Sequence, residues 1–191
     1  KTHNAGEVYV LFGSGAAWPD TVDLKTLVLD GVNGFVIHGK DKHDRLGLAV
    51  SAGDLNGDGY GDLVIGAYMG DGVDENYVKN SGEVYVLFGK PAWTPVLDLQ
   101  DLTLNGENGF VIHGRDKWDQ AGFSVLIADL NGDSYGDLVL GATAGDGLDN
   151  LVNAAGEVYC IFGHKDAWSP LLDLKTLVLD GSNGFVVYGR D

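Results

Sequence analysis

One cysteine, one methionine and four prolines are found among 191 residues. Cys160 has no partner in the chain, so no internal disulfide can form and cysteine is silent on the redox compartment. The scarcity of proline and the lack of a long polar tract argue against disorder. No apolar run approaches the ~20 residues of a membrane span, and no signal peptide is visible at Lys1. Basic residues are few: 12 Lys and Arg stand against 28 Asp and Glu, giving a formal charge of −16. Such a surface repels phosphate backbones and excludes nucleic acid as a natural partner. Helical patterning is missing as well, since no stretch of ten or more residues holds a 3.6-residue apolar period. There is no Arg-Gly-Asp and no N-x-S/T sequon.

Glycine is what the chain has in excess, at 30 residues, about twice the usual usage of roughly 7%. The glycines recur beside short apolar runs, which predicts tight turns between strands. Gly34-Phe-Val-Ile-His-Gly39 returns as residues 109–114 and, as GFVVYG, as residues 184–189, at steps of 75. Gly6-Glu-Val-Tyr-Val-Leu-Phe-Gly13 returns at 82–89 and 156–163, and Trp18, Trp93 and Trp168 keep the 75-residue step. The pattern divides the chain into a partial unit, 1–41, and two full units, 42–116 and 117–191. No atypical capping repeat marks either end, so the reading is an excerpt of a longer array. Each unit holds short β-branched and aromatic runs stopped by Gly, Asn or Asp. Four such strands make one propeller blade. The expected fold is therefore all-β, with antiparallel four-stranded blades and about two and a half repeats.

The chemistry lies in two nine-residue segments, Asp54-Leu-Asn-Gly-Asp-Gly-Tyr-Gly-Asp62 and Asp129-Leu-Asn-Gly-Asp-Ser-Tyr-Gly-Asp137. Oxygen-bearing side chains occupy positions 1, 3, 5 and 9: Asp54, Asn56, Asp58 and Asp62, then Asp129, Asn131, Asp133 and Asp137. The backbone carbonyls of Tyr60 and Tyr135 would add a ligand at position 7. An all-oxygen set suits Ca²⁺, which takes about 6–8 such ligands, and the absence of His and Cys disfavours zinc. Two calcium sites are expected. An EF-hand would carry a glutamate at position 12 between helices; Ile65 and Leu140 stand there, in strand-like runs. The metal-free alternative is an acidic turn, since Asp and Asn favour turns in any case. Ser134 replaces Gly59 at the sixth position, where a sharp turn favours glycine, so the second loop is expected to be the more strained and weaker site.

These loops, followed by Leu63-Val-Ile-Gly-Ala67 and Leu138-Val-Leu-Gly-Ala142, resemble the FG-GAP repeat of integrin α-subunit β-propellers and related bacterial surface proteins. The "FG" is degenerate here, as Leu46-Gly47 and Ala121-Gly122, and Tyr68 and Thr143 stand for the final proline. The resemblance implies a propeller blade with its calcium loop between adjacent strands, and an extracellular or cell-surface setting. The unit is longer than usual, with the excess in residues 18–33 and their counterparts or in 70–80 and 145–155.

Several signals admit a plainer reading. Residues 132–136 match G-x-S-x-G, but a nucleophile elbow needs a following helix, and here a strand follows. His38 and His113 become Tyr188 in the third copy, which suits an aromatic strand-end better than a metal ligand. The Trp18, Trp93, Trp168 series suits packing between blades or a sugar-stacking surface. The acidic stretches 71–76 and 146–150 suit solvated loops, a partner-binding loop or an extra calcium contact. The expected function is a non-enzymatic structural or adhesion module with a protein or glycan partner. A non-catalytic propeller of a larger secreted enzyme is the alternative, as is an assembly subunit that self-associates through unpaired strand edges.

Overall fold

The computed structural model describes residues 4–15, 18–72 and 79–190. Twelve strands follow one another: β1 (Glu7–Leu11), β2 (Gly34–His38), β3 (Val50–Gly53), β4 (Asp62–Ala67), β5 (Glu83–Leu87), β6 (Val96–Asp98), β7 (Gly109–His113), β8 (Ala121–Ala128), β9 (Asp137–Ala142), β10 (Glu157–Ile161), β11 (Leu171–Asp173) and β12 (Gly184–Tyr188). A single 3₁₀ turn at Leu148–Asn150 interrupts the β pattern among the described residues.

The strands form three sheets. The middle one runs β3-β4-β5-β7 in antiparallel order, and β8-β9-β10-β12 repeats it. The first sheet holds the outer half of the same pattern, β1 against β2. These are the all-β, antiparallel blade sheets that the repeat pattern predicts.

One departure from four strands per unit is instructive. Each of the two shortest strands leaves its own unit and joins the preceding sheet in parallel. β6 lies on β2, pairing Val36 with Val96, and β11 lies on β7, pairing Val111 with Leu171. The Val36 and Val111 N–H groups donate to the carbonyls of Pro95 and Pro170. The residues after Trp93 and after Trp168 thus form arms that clasp the preceding sheet.

The two cores lie between sheets. Phe35, Ile37, Leu46, Ile65, Tyr85 and Leu87 fill the first junction. Val64, Val84, Val86, Phe110, Ile112, Leu138 and Leu140 are among those that fill the second. Trp93 stacks on Phe35 with centroids 4.3 Å apart, and Trp168 stacks on Phe110 at 4.5 Å. The two later tryptophans therefore act as packing anchors between sheets, the first of the two readings open for them.

Candidate metal centre

Loop 54–62 connects β3 to β4, and loop 129–137 connects β8 to β9. Each begins where an inner strand ends and finishes on an aspartate that opens the next strand. Short side-chain acceptors curl both loops in the same way. Asp54 accepts the N–H groups of Gly57 and Asp58 on Oδ1 and that of Gly59 on Oδ2. Asn56 Oδ1 accepts Asp58 N–H, and Asp58 Oδ1 accepts Tyr60 N–H. Asp129, Asn131 and Asp133 repeat the pattern on Gly132, Ser134, Asp133 and Tyr135. In both loops the Asn side-chain amide donates to the Oδ2 of the next aspartate at 3.0 Å.

The ninth position behaves differently. Asp62 is fully buried and accepts from Leu55 N–H and Gly89 N–H, both at 2.8 Å. Asp137 does the same with Leu130 and Gly163. These two carboxylates bolt each loop to the end of the third strand of its sheet. Burial pushes the Asp62 carboxyl up to about 6, and Asp58 and Asp54 add to the rise against the two backbone donors.

The loops also touch each other. Gly136 N–H donates to Asp54 O at 2.7 Å, and a side chain at Gly57 would run into the Tyr135 ring. The sixth position adopts the left-handed conformation in both, with φ 85° at Gly59 and 77° at Ser134. Glycine reaches this region without strain and serine does not.

Asp54, Asn56 and Asp58 thus share one turn with Asp62 beneath it, and Asp129, Asn131, Asp133 and Asp137 repeat the arrangement. Among the described residues, no three His, Cys, Asp or Glu side chains converge as a ready-made metal cage. The donor set nevertheless fits a hard cation: it is all oxygen and carries three carboxylates, two in an exposed turn and one buried beneath it.

Other recurrent carboxylates escaped the sequence reading. Asp44 and Asp119 sit in the junctions between sheets and are almost wholly buried, as are Glu83 and Glu157. Asp44 lines a cleft of about 380 Å³ with Lys40, Asp41, Asp71 and Glu83. Burial pushes the carboxyls of Asp44 and Asp119 up to about 7, with Glu83 and Asp41 adding at the first. At the second, Asp116, Glu157 and Asp146 add, against the Asp116 N–H donated to it. Asp44 and Asp119 are 75 residues apart, and that recurrence was the available signal. Their variable neighbours, His43 and Trp118, obscured it.

The two histidines are strand-end groups. His113 Nε2 lies 3.7 Å from Glu83, and burial holds its pKa down at about 4. The third unit has Tyr188 there, and Arg115 faces Glu157 at 3.5 Å. Of the two acidic stretches, 71–76 lies mostly outside the described residues. In 146–150, Asp146 accepts Ala154 N–H within the loop, and Asn150 donates to Asp116, which ties the loop to the turn after β7.

A pH dependence follows from Asp44 and Asp119. Their folded pKa values lie above the usual ~3.9 of an unfolded aspartate. The native state then holds more protons than the unfolded chain between about pH 4 and 7. The pair's contribution is complete below pH 4 and is lost as pH rises through about 7. Urea unfolding in chelator should show stability falling across that window. The double variant D44N/D119N should show a flatter profile, and an unchanged slope would refute the assignment.

The sequence matches the FG-GAP repeat over residues 46–87 and 121–159. Among curated proteins it is 36% identical to the phosphatidylinositol-glycan-specific phospholipase D of Bos taurus over 123 residues, 64% of this chain. It is 35% identical to the human protein of that name over 121 residues, 63% of this chain. It is 32% identical to integrin alpha-IIb of Mus musculus over 139 residues, 70% of this chain. The chain spans 14% of the length of the two phospholipases and 12% of the integrin subunit. No helix among the described residues is long and apolar enough to cross a membrane.

Proposed function

From a chain that carries two FG-GAP repeats, we propose a calcium-stiffened, non-catalytic propeller module of an extracellular or cell-surface protein. The carrying observation is the twin loop. Two segments 75 residues apart present the same oxygen donors in the same hydrogen-bonded turn, each bolted by a buried aspartate. In this reading Asp54, Asn56, Asp58, Asp62 and the Tyr60 carbonyl hold one Ca²⁺. Asp129, Asn131, Asp133, Asp137 and the Tyr135 carbonyl hold a second. Bound calcium offsets the repulsion of three carboxylates and fixes the turn between inner strands. The sheets then act as a rigid frame for surface loops that meet a protein or glycan.

Calorimetric titration tests this. Two calcium ions should bind per chain. Asp58→Ala and Asp133→Ala should each remove one, leaving the other loop filled. Ser134→Gly should tighten the second site by about fivefold, the equivalent of roughly 1 kcal/mol of relieved backbone strain. A titration without heat, or one indifferent to these variants, would sink the reading.

A second reading has support in the phospholipase similarity: a non-catalytic domain of a larger secreted enzyme. The two separate on binding. An adhesion module, immobilised in calcium, retains a matrix or cell-surface component and releases it in chelator. A supporting domain of an enzyme retains none.

A further inference from the structure

The two junctions between sheets carry the same four carboxylates and different cations. At the second, Asp116, Glu157 and Asp146 surround Asp119, and two basic side chains reach into the group. The Arg115 guanidinium lies 3.5 Å from Glu157 and 3.4 Å from Asp116, and Lys175 Nζ lies 3.1 Å from Asp116. At the first junction the equivalent acids are Asp41, Glu83, Asp71 and Asp44. Lys40 stands for Arg115, and Gln100 stands for Lys175. The change from Lys to Gln removes a positive charge and puts an amide oxygen in its place.

The first junction is left short of cations. Lys40 Nζ reaches Asp41 at 3.6 Å, and both side chains are 40% exposed at the rim. Glu83 accepts from the Tyr85 hydroxyl, and its other neighbour, His113, is kept neutral by the burial that holds its pKa down at about 4. Asp44 has less still. It is 7% exposed and lines the cleft, and among the described residues no hydrogen bond or ion pair reaches its carboxyl. Glu83, Asp41 and Asp71 repel its charge, while Lys40 attracts it. A buried carboxylate with neither donor nor counter-ion is costly to keep ionised.

The cleft of about 380 Å³ has walls from both sheets: these acids, Gln100, Lys40 and Lys42. Four carboxylates there face two ammonium groups, which leaves two negative charges uncompensated when all are ionised. Oxygen donors with an excess of two negative charges suit a hard divalent cation. No three of the carboxylates converge in advance, so an ion at the cleft gathers them on binding and keeps part of its water shell.

We propose that the cleft between the first and middle sheets binds a divalent metal cation through Asp44, Glu83 and the Gln100 carbonyl, in the place that Arg115 and Lys175 fill at the next junction. Glu83 belongs to β5 of the middle sheet, and Gln100 follows β6 of the first. The ion therefore ties two sheets together, where the next junction is tied by its own side chains. The site is separate from the twin loops: loop 54–62 enters β4 at Asp62, whereas Glu83 pairs with Ala67 at the other end of that strand. Because its ligands must be gathered, the cleft is the weaker site. The loops fill first, and the two-ion titration is complete before the cleft begins to fill.

The test uses calcium as the probe and the chain with its loop sites removed, D58A/D133A. Its melting temperature should still rise in calcium, by about 3–6 °C at ten times the dissociation constant. Asp44→Asn in that background should abolish the rise. Gln100→Lys should abolish it too, and in chelator should melt above its parent, because the new ammonium stands in for the ion. Should the double loop variant not fold, equilibrium dialysis of the otherwise unaltered chain in millimolar calcium reads the same site: three ions bound, and two in Gln100→Lys. A rise that survives both substitutions, or an ion count that Gln100→Lys leaves unchanged, overturns the proposal. So does a double loop variant that folds and ignores calcium, an outcome that leaves the loop reading standing. A Gln100-dependent ion in a chain whose loops hold none supports the cleft and refutes the loops.

Discussion

Replacing Trp168 by alanine should cost about 3–5 kcal/mol of stability, as expected for a large aromatic removed from a packed junction. Two ring contacts are lost together. The indole stacks on Phe110 at 4.5 Å with planes 6° apart, and on His164 at 4.1 Å with planes 10° apart. Its chain neighbours also carry the parallel strand β11 onto β7. Trp168→Phe should cost much less. It keeps an aromatic face and removes an indole N–H that is buried without an acceptor, a group that burdens the native state. Denaturant titration of W168A, F110A and the double variant should give a coupling of about 0.5–1.5 kcal/mol for the stack. Additive losses would show that each ring merely fills space.

Chelation should have the second large effect. A ligand held at a hundred times its dissociation constant adds about 2.7 kcal/mol to the native state per site, so two sites add roughly 5 kcal/mol. For a chain of this length each kcal/mol moves the melting temperature by about 2–4 °C. Scanning calorimetry in millimolar calcium and in excess chelator should therefore differ by roughly 10–20 °C. Magnesium should restore little of the loss, because it demands a tighter octahedral shell and keeps its waters. The shift should halve in Asp58→Ala. A melting temperature indifferent to chelator would exclude a structural cation, whatever the loops resemble.

The loops were legible in the sequence because their function is local. Nine residues with oxygen at positions 1, 3, 5 and 9 place their own acceptors next to their own N–H groups, so spacing alone foretells the turn. The strands were legible for the same reason, each being a short run between punctuating glycines. Burial was not. Glu7-Val-Tyr-Val-Leu11 and Glu83-Val-Tyr-Val-Leu87 are the same five residues. The first alternates between exposed and half-buried, and the second is buried throughout. What differs is the neighbour: β5 has a sheet on each face and β1 on only one. The arms were hidden by distance and brevity. Val96–Asp98 is three residues long, too short to carry a periodic signal, and its partner belongs to the unit before. The tryptophan series marked the place without revealing the direction in which it reaches. Ser134 was the one loop position where sequence foretold strain, and its φ of 77° agrees.

The backward reach of the arm also has a meaning in time. Val36 pairs with Val96, and Val111 with Leu171, so sixty residues must be made before each outer strand meets its last partner. At about 5–20 residues per second, the growing chain carries an unsealed sheet edge for roughly 3–12 s at every repeat. Each new segment closes the sheet behind it while exposing another in front. Synthesis of such an array therefore proceeds with one vulnerable edge always at the growing end, handed forward from repeat to repeat.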